Sequence, residues 1–153
     1  MVTEKLLICY CEVRVFLQHS NFVANADCNL VDQFGRTALI IASQQNHKSV
    51  IEALIQHSKT NLDAIDSVHG FTALMWAANG GNKEAVELLL EHGSNYNLTS
   101  KRGESLFDVT KGSQLANFIR EKIQALRTVD KENQVNSTQA HRTRKNSLSL
   151  VSQ

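Results

Sequence analysis

"GFTALMWAANGGNKEAVELLLEHG", residues 70–93, decides the fold because the chain contains it more than once. Laid over residues 35–58, "GRTALIIASQQNHKSVIEALIQHS", it repeats Gly, Thr, Ala, Leu and Ala, then apolar positions and a histidine, at an offset of 35 residues without a gap. A worn third copy, "GESLFDVT", opens at Gly103, an offset of 33 residues, and "EVRVFLQHS" (12–20) beside "VIEALIQHS" (50–58) hints at an earlier one. Self-similarity at this spacing marks stacked supersecondary units, none of which can bury its apolar face alone.

Local chemistry divides each unit. Thr37, Thr72 and Ser105 are helix N-cap residues, whose side-chain oxygens accept from orphan backbone N–H groups. The first helix is rich in small residues, Ala38 and Ala42 or Ala73, Ala77 and Ala78, which lets a neighbouring helix approach closely. It ends at Gln45-Asn46 or Gly80-Gly81, where residues that tolerate left-handed φ let the chain reverse. The second helix carries Val50, Ile51, Leu54 and Ile55, or Val86, Leu88, Leu89 and Leu90, as its apolar stripe. The linking stretches "ANADCNLVDQFG" (24–35) and "HGSNYNLTSKRG" (92–103) are dense in Asn, Asp, Ser and Gly and read as hairpin-like turns. The middle linker, "HSKTNLDAIDSVHG" (57–70), is two residues longer than the one at 92–103, as expected where insertions fall in loops.

Composition narrows the function classes. The formal charge of +1 gives no long-range field toward nucleic acid or membrane. Cys9, Cys11 and Cys28 form neither an even disulfide framework nor a CxxC pair, which points to a reducing, intracellular setting. Zinc binding by Cys9, Cys11 and His19 lacks a fourth ligand, so no metal is expected. The apolar run Leu6 to Leu17 is too short and too charged to span a bilayer of about 30 Å, and it has no small-residue cleavage site. No nucleophile elbow, phosphate-binding glycine loop or H-E-x-x-H is present, so neither an enzyme nor a cofactor is expected. His57 and His92 recur at helix C-termini, where a helix dipole favours them.

Helix, reversal, helix and hairpin-like loop together resemble the ankyrin repeat. The likeness rests on "ADCNLVDQFGRTALIIA" (26–42) and "FTALMWAANGGNKEAVELLLEHGSNYN" (71–97), and it covers about residues 20–125. These match a hairpin ending D-x-x-G-x-T, a T-P-L-H-x-A helix start, a G-H reversal and a V-x-x-L-L-x-x-G-A-D-x-N helix end. The resemblance implies an all-α ankyrin-repeat solenoid of stacked helix-turn-helix units with hairpin-like loops. Repeats are expected at about 35–69 and 70–102, with a degenerate unit at about 1–34 and a capping unit at about 103–127.

Departures from the pattern carry information. Ala38, Ala73 and Leu106 stand where the family has proline, and Ile40 and Met75 where it has histidine. In the last copy Asp108 and Thr110 replace Met75 and Ala77, as suits a cap whose outer face meets water. Its second helix is expected over Ser113 to about Arg127. A helix over Lys5 to His19 is favoured for the N-terminus, with a strand as the alternative.

The resemblance further implies a non-enzymatic adaptor that holds another protein on its hairpin tips and the concave face of its first helices. Carried over by position, the tips are Gln33, Phe34 and Arg36, then Val68, His69 and Phe71, then Lys101, Arg102 and Glu104. The concave positions are Gln44, Gln45 and Asn79, with Met75 deeper. Phe34 and Phe71 are open to two readings, contact with a partner or packing on their own loops. Trp76, aligned with Ile41 and Val109, is expected to be buried between stacked helix pairs.

From Thr128 the apolar periodicity stops, and a disordered polar tail is expected over 128–153. Within it, "RTRKNSL" resembles a basophilic kinase site at Ser147, which implies a regulatory subunit or scaffold switched by phosphorylation as an alternative function. A basic-tail nucleic-acid binder is the weaker alternative, because the basic residues of "HRTRK" offer too few phosphate contacts for tight binding. A protein partner in the cytoplasm or nucleus is therefore the leading expectation, with no small-molecule substrate and no membrane insertion.

Overall fold

The computed structural model describes residues 27–56 and 59–128. Five helices, α1 (Ala38–Gln44), α2 (Lys48–Gln56), α3 (Ala73–Gly80), α4 (Lys83–Glu91) and α5 (Leu106–Val109), precede a helix α6 over 113–128. The chain divides into compact units Met1–Ile119 and Arg120–Gln153, and the described part of the second, 120–128, is helical. Within the first unit α1 packs on α2 and α3, α2 on α4, and α3 on α4 and α5, so each helix pair meets the next.

The helices begin and end for the reasons their residues supply. Thr37 Oγ1 accepts from Ile40 N at 3.3 Å and Thr72 Oγ1 from Met75 N at 3.2 Å, capping α1 and α3. After α1, Asn46 takes φ 57°, and after α3, Gly81 takes φ 76°, the left-handed conformation that reverses the chain. At α5, the Asp108 carboxylate accepts from both the amide (2.8 Å) and the hydroxyl (2.6 Å) of Ser105. The acidic residue that looked like wear in the sequence thus secures the start of a four-residue helix. His92 ends α4 as expected, its Nδ1 2.8 Å from the Leu88 carbonyl oxygen.

Helices of seven to nine residues are too short to persist alone, so packing must hold them. Ala38, Ala42, Ala73, Ala77 and Ala78 are all buried, which brings α1 against α3 at short range. Ile51, Leu54, Val86 and Leu89 fill the layer behind them, where α2 meets α4. Ile40 and Met75, at the family's histidine position, are buried as well, so packing replaces a polar contact there.

Trp76 departs from expectation. It is half-buried and does not lie in the interior between helix pairs. Its indole Nε1 donates to Asp66 Oδ2 at 2.7 Å, and its ring meets Phe71 edge-on at 5.4 Å. The aligned Ile41 is also half-buried, so the position is not an interior one in either repeat.

Two ladders of hydrogen bonds join the units, the first from backbone amide to side-chain oxygen and the second from main chain to main chain. In the loops before the tips, Asn29 Oδ1 accepts from Asn61 N at 2.7 Å, and Asp63 Oδ1 accepts from Asn95 N at 2.8 Å. At the tips, Ser67 N donates to Phe34 O at 2.8 Å and Lys101 N to His69 O at 2.9 Å. Gly35 and Gly70 permit this second contact. Both have positive φ, and a Cβ on Gly35 would lie 2.8 Å from Ser67 N, one on Gly70 2.9 Å from Lys101 N.

The expected N-terminal helix over 5–19, Cys9, Cys11, His57, and residues 129–153 of the expected tail with Ser147 all lie outside the described residues; Thr128, expected to open the tail, is the last residue of α6.

Candidate functional site

Each hairpin is built around one acceptor side chain. Asp32 Oδ1 accepts from Phe34 N and Arg36 N, both at 2.9 Å, and Ser100 Oγ accepts from Arg102 N at 3.2 Å and Glu104 N at 3.1 Å. Backbone bonds from Asp32 N to Arg36 O, Asp66 N to Phe71 O and Ser100 N to Glu104 O close the three turns. The middle turn has one residue more, since Asp66 precedes Gly70 by four positions where Asp32 precedes Gly35 by three. Asp66 accordingly accepts more: Oδ1 from Val68 N (2.7 Å), His69 N (2.6 Å) and Gly70 N (3.3 Å), Oδ2 from Phe71 N (3.3 Å) and the Trp76 indole.

These bonds decide the charge state. Burial of Asp66 opposes its ionisation, but the donors from His69, Trp76, Val68 and Phe71 outweigh that and hold its carboxyl below the ordinary value. At Asp32, burial is likewise outweighed, by the Arg36 guanidinium and the amides of Arg36 and Phe34. Both carboxylates are therefore anionic at neutral pH and occupied within their own turns.

The sequence-derived site residues divide accordingly. Phe34 stands 43% exposed and Val68 57% exposed at equivalent tip positions, and Gln33, His69, Lys101 and Arg102 are exposed beside them. Gln44 and Gln45 are exposed and Asn79 half-buried on the first-helix side. Arg36 is engaged within its own turn: its Nη2 lies 2.7 Å from Asp32 Oδ2, Nη1 donates to Gln44 Oε1 at 3.4 Å, and the guanidinium stacks on Phe34 at 5.0 Å. Glu104 is half-buried and accepts from the Ser100 hydroxyl at 2.9 Å.

Two expectations need correcting. Phe71 is buried, with its ring against His69 (5.3 Å) and Trp76, which settles its two readings in favour of packing on its own loop. Met75, 2% exposed, is interior and presents no surface to a partner.

Two residues were missed. Val31 (43% exposed) and Ile65 (54% exposed) lie just before Asp32 and Asp66 and extend the apolar surface of Phe34 and Val68 down both hairpins. The available signal was a β-branched residue in each polar turn segment, where turn chemistry needs none. Because the tips are bonded main chain to main chain, these four side chains are carried on adjoining hairpins. Among the described residues no three His, Cys, Asp or Glu side chains cluster to hold a metal ion, and no helix is long and apolar enough to cross a membrane.

A family model described as ankyrin repeats, in three copies, matches residues 6–100. A search of curated proteins finds no match to the chain.

Proposed function

Since the chain belongs to the ankyrin-repeat family, whose repeats generally mediate protein–protein interaction, we propose that it is a non-enzymatic adaptor gripping a partner protein by its hairpin tips. The observation that carries this reading is the exposure of Val31, Phe34, Ile65 and Val68 on two bonded hairpins. Apolar side chains held out on a rigid backbone lose little conformational entropy on binding, and aromatic anchors dominate most interfaces. Gln44, Gln45 and Asn79 on the first-helix side add polar groups of the kind found at interface rims. We further place the protein inside the cell, in keeping with three cysteines that form neither an even disulfide framework nor a CxxC pair.

Affinity capture from the native cell tests the proposal. A Phe34→Ala/Val68→Asp/Arg102→Glu variant should lose its partner while keeping the wild-type melting temperature. Capture that survives these changes would place the binding surface elsewhere.

A further inference from the structure

We infer that the tips take a protein segment in which apolar side chains adjoin acidic ones, an inference that rests on the tips being the binding surface. Equivalent positions of the three hairpins offer different chemistry. The first two present Val31 and Phe34, then Ile65 and Val68, as exposed apolar side chains on adjoining hairpins, so the part of the partner that meets them is apolar. Their charges are spent internally: Arg36 is paired with Asp32, and Asp66 is buried and saturated with donors.

The third hairpin differs. Arg102 takes the place of Phe34 and Val68, and Lys101 precedes it, both exposed. The nearby carboxylate, Glu104, bonds to the Ser100 hydroxyl, and among the described residues neither cation has an ion-pair partner. The Lys101 ammonium donates to the Ser67 carbonyl, which pins a positive charge between the second and third tips. The surface therefore runs from neutral and apolar to cationic in chain order. A guanidinium fork and an ammonium side by side favour carboxylates and repel a basic segment.

The test is selection from a random linear peptide library against the full chain, with the selected peptides then titrated against two variants. These are Lys101→Glu/Arg102→Glu and Ile65→Asp/Val68→Asp, with Ile65→Ser/Val68→Ser as a milder form should the aspartates lower the melting temperature. Enriched peptides are expected to combine aliphatic residues with Asp or Glu. Their affinity should fall about tenfold on the charge-reversed chain, in a salt-sensitive manner, and at least as much on the apolar-to-polar chain. Peptides lost on the apolar variant but indifferent to charge reversal, or lacking acidic residues, would overturn the acidic chemistry and leave the tips as the surface. Peptides that bind all chains equally, or no enrichment at all, would overturn both.

Discussion

The amide of Lys101 donates to the carbonyl of His69 at 2.9 Å, as the amide of Ser67 does to Phe34 one repeat earlier at 2.8 Å. Main chain, not side chain, sets the spacing of the tips. The residues that permit this approach should therefore be the ones whose loss is felt.

Gly35→Ala and Gly70→Ala should each cost about 1–3 kcal/mol, from left-handed φ and from a Cβ forced against the next hairpin's amide. Gly103 has similar φ but nothing within 4 Å of its would-be Cβ, so Gly103→Ala should fall at the low end, about 1 kcal/mol. Denaturant midpoints of the three variants give the comparison. Equal costs at all three would contradict the packing argument.

Asp66→Ala leaves two buried and three part-buried donors without their acceptor and should cost about 2–3 kcal/mol by chemical denaturation. Folding holds the carboxyl's pKa below its ordinary value, so its contribution is full above that ordinary value and lost as pH falls through the folded one. Wild type should therefore lose stability steeply below about pH 4. Asp66→Asn, which cannot titrate, should show a shallower acid limb.

Trp76 is the sole tryptophan, and its half-buried indole is bonded to Asp66. Trp76→Phe keeps an aromatic against Phe71 but drops the bond to a carboxylate, for a loss of about 1.5–3 kcal/mol. In the wild type the fluorescence should respond to acid over the range in which Asp66 titrates, before global unfolding. An emission indifferent to pH until the protein melts would count against this arrangement.

Ser43 and Ser94 are buried, and neither hydroxyl has a hydrogen-bond partner among the described residues. Ser94 stands where the repeat pattern has alanine, and Ser43 aligns with Ala78. Ser94→Ala and Ser43→Ala should each raise stability by about 1 kcal/mol, visible as a higher melting temperature.

The units, their caps and their reversals were legible because Thr37, Thr72, Asn46 and Gly81 act through local backbone chemistry that a short stretch of sequence carries whole. Trp76 was misread because its counterpart Ile41 is apolar, and an apolar slot in a repeat does not reveal which side faces the hairpin. Only the contact with Asp66, ten residues away, explains the indole. Phe71 was misplaced for a related reason. The extra residue in the middle turn lets Asp66 bond the amides of both Val68 and Phe71, and it is Val68 that the resulting turn leaves outside. Val31 and Ile65 were passed over because a period search scores helices, and these residues lie between them.

The loop ladder gives each joint the same socket: Asn29 receives the amide of Asn61 as Asp63 receives that of Asn95. Socket and plug recur 34 residues apart, and each joint involves adjoining units alone. In-frame duplication or loss of one such span would bring a socket of the same shape against a plug of the same shape, so recombination can lengthen or shorten the protein in whole steps. An indel of any other size within the span would leave socket and plug out of register.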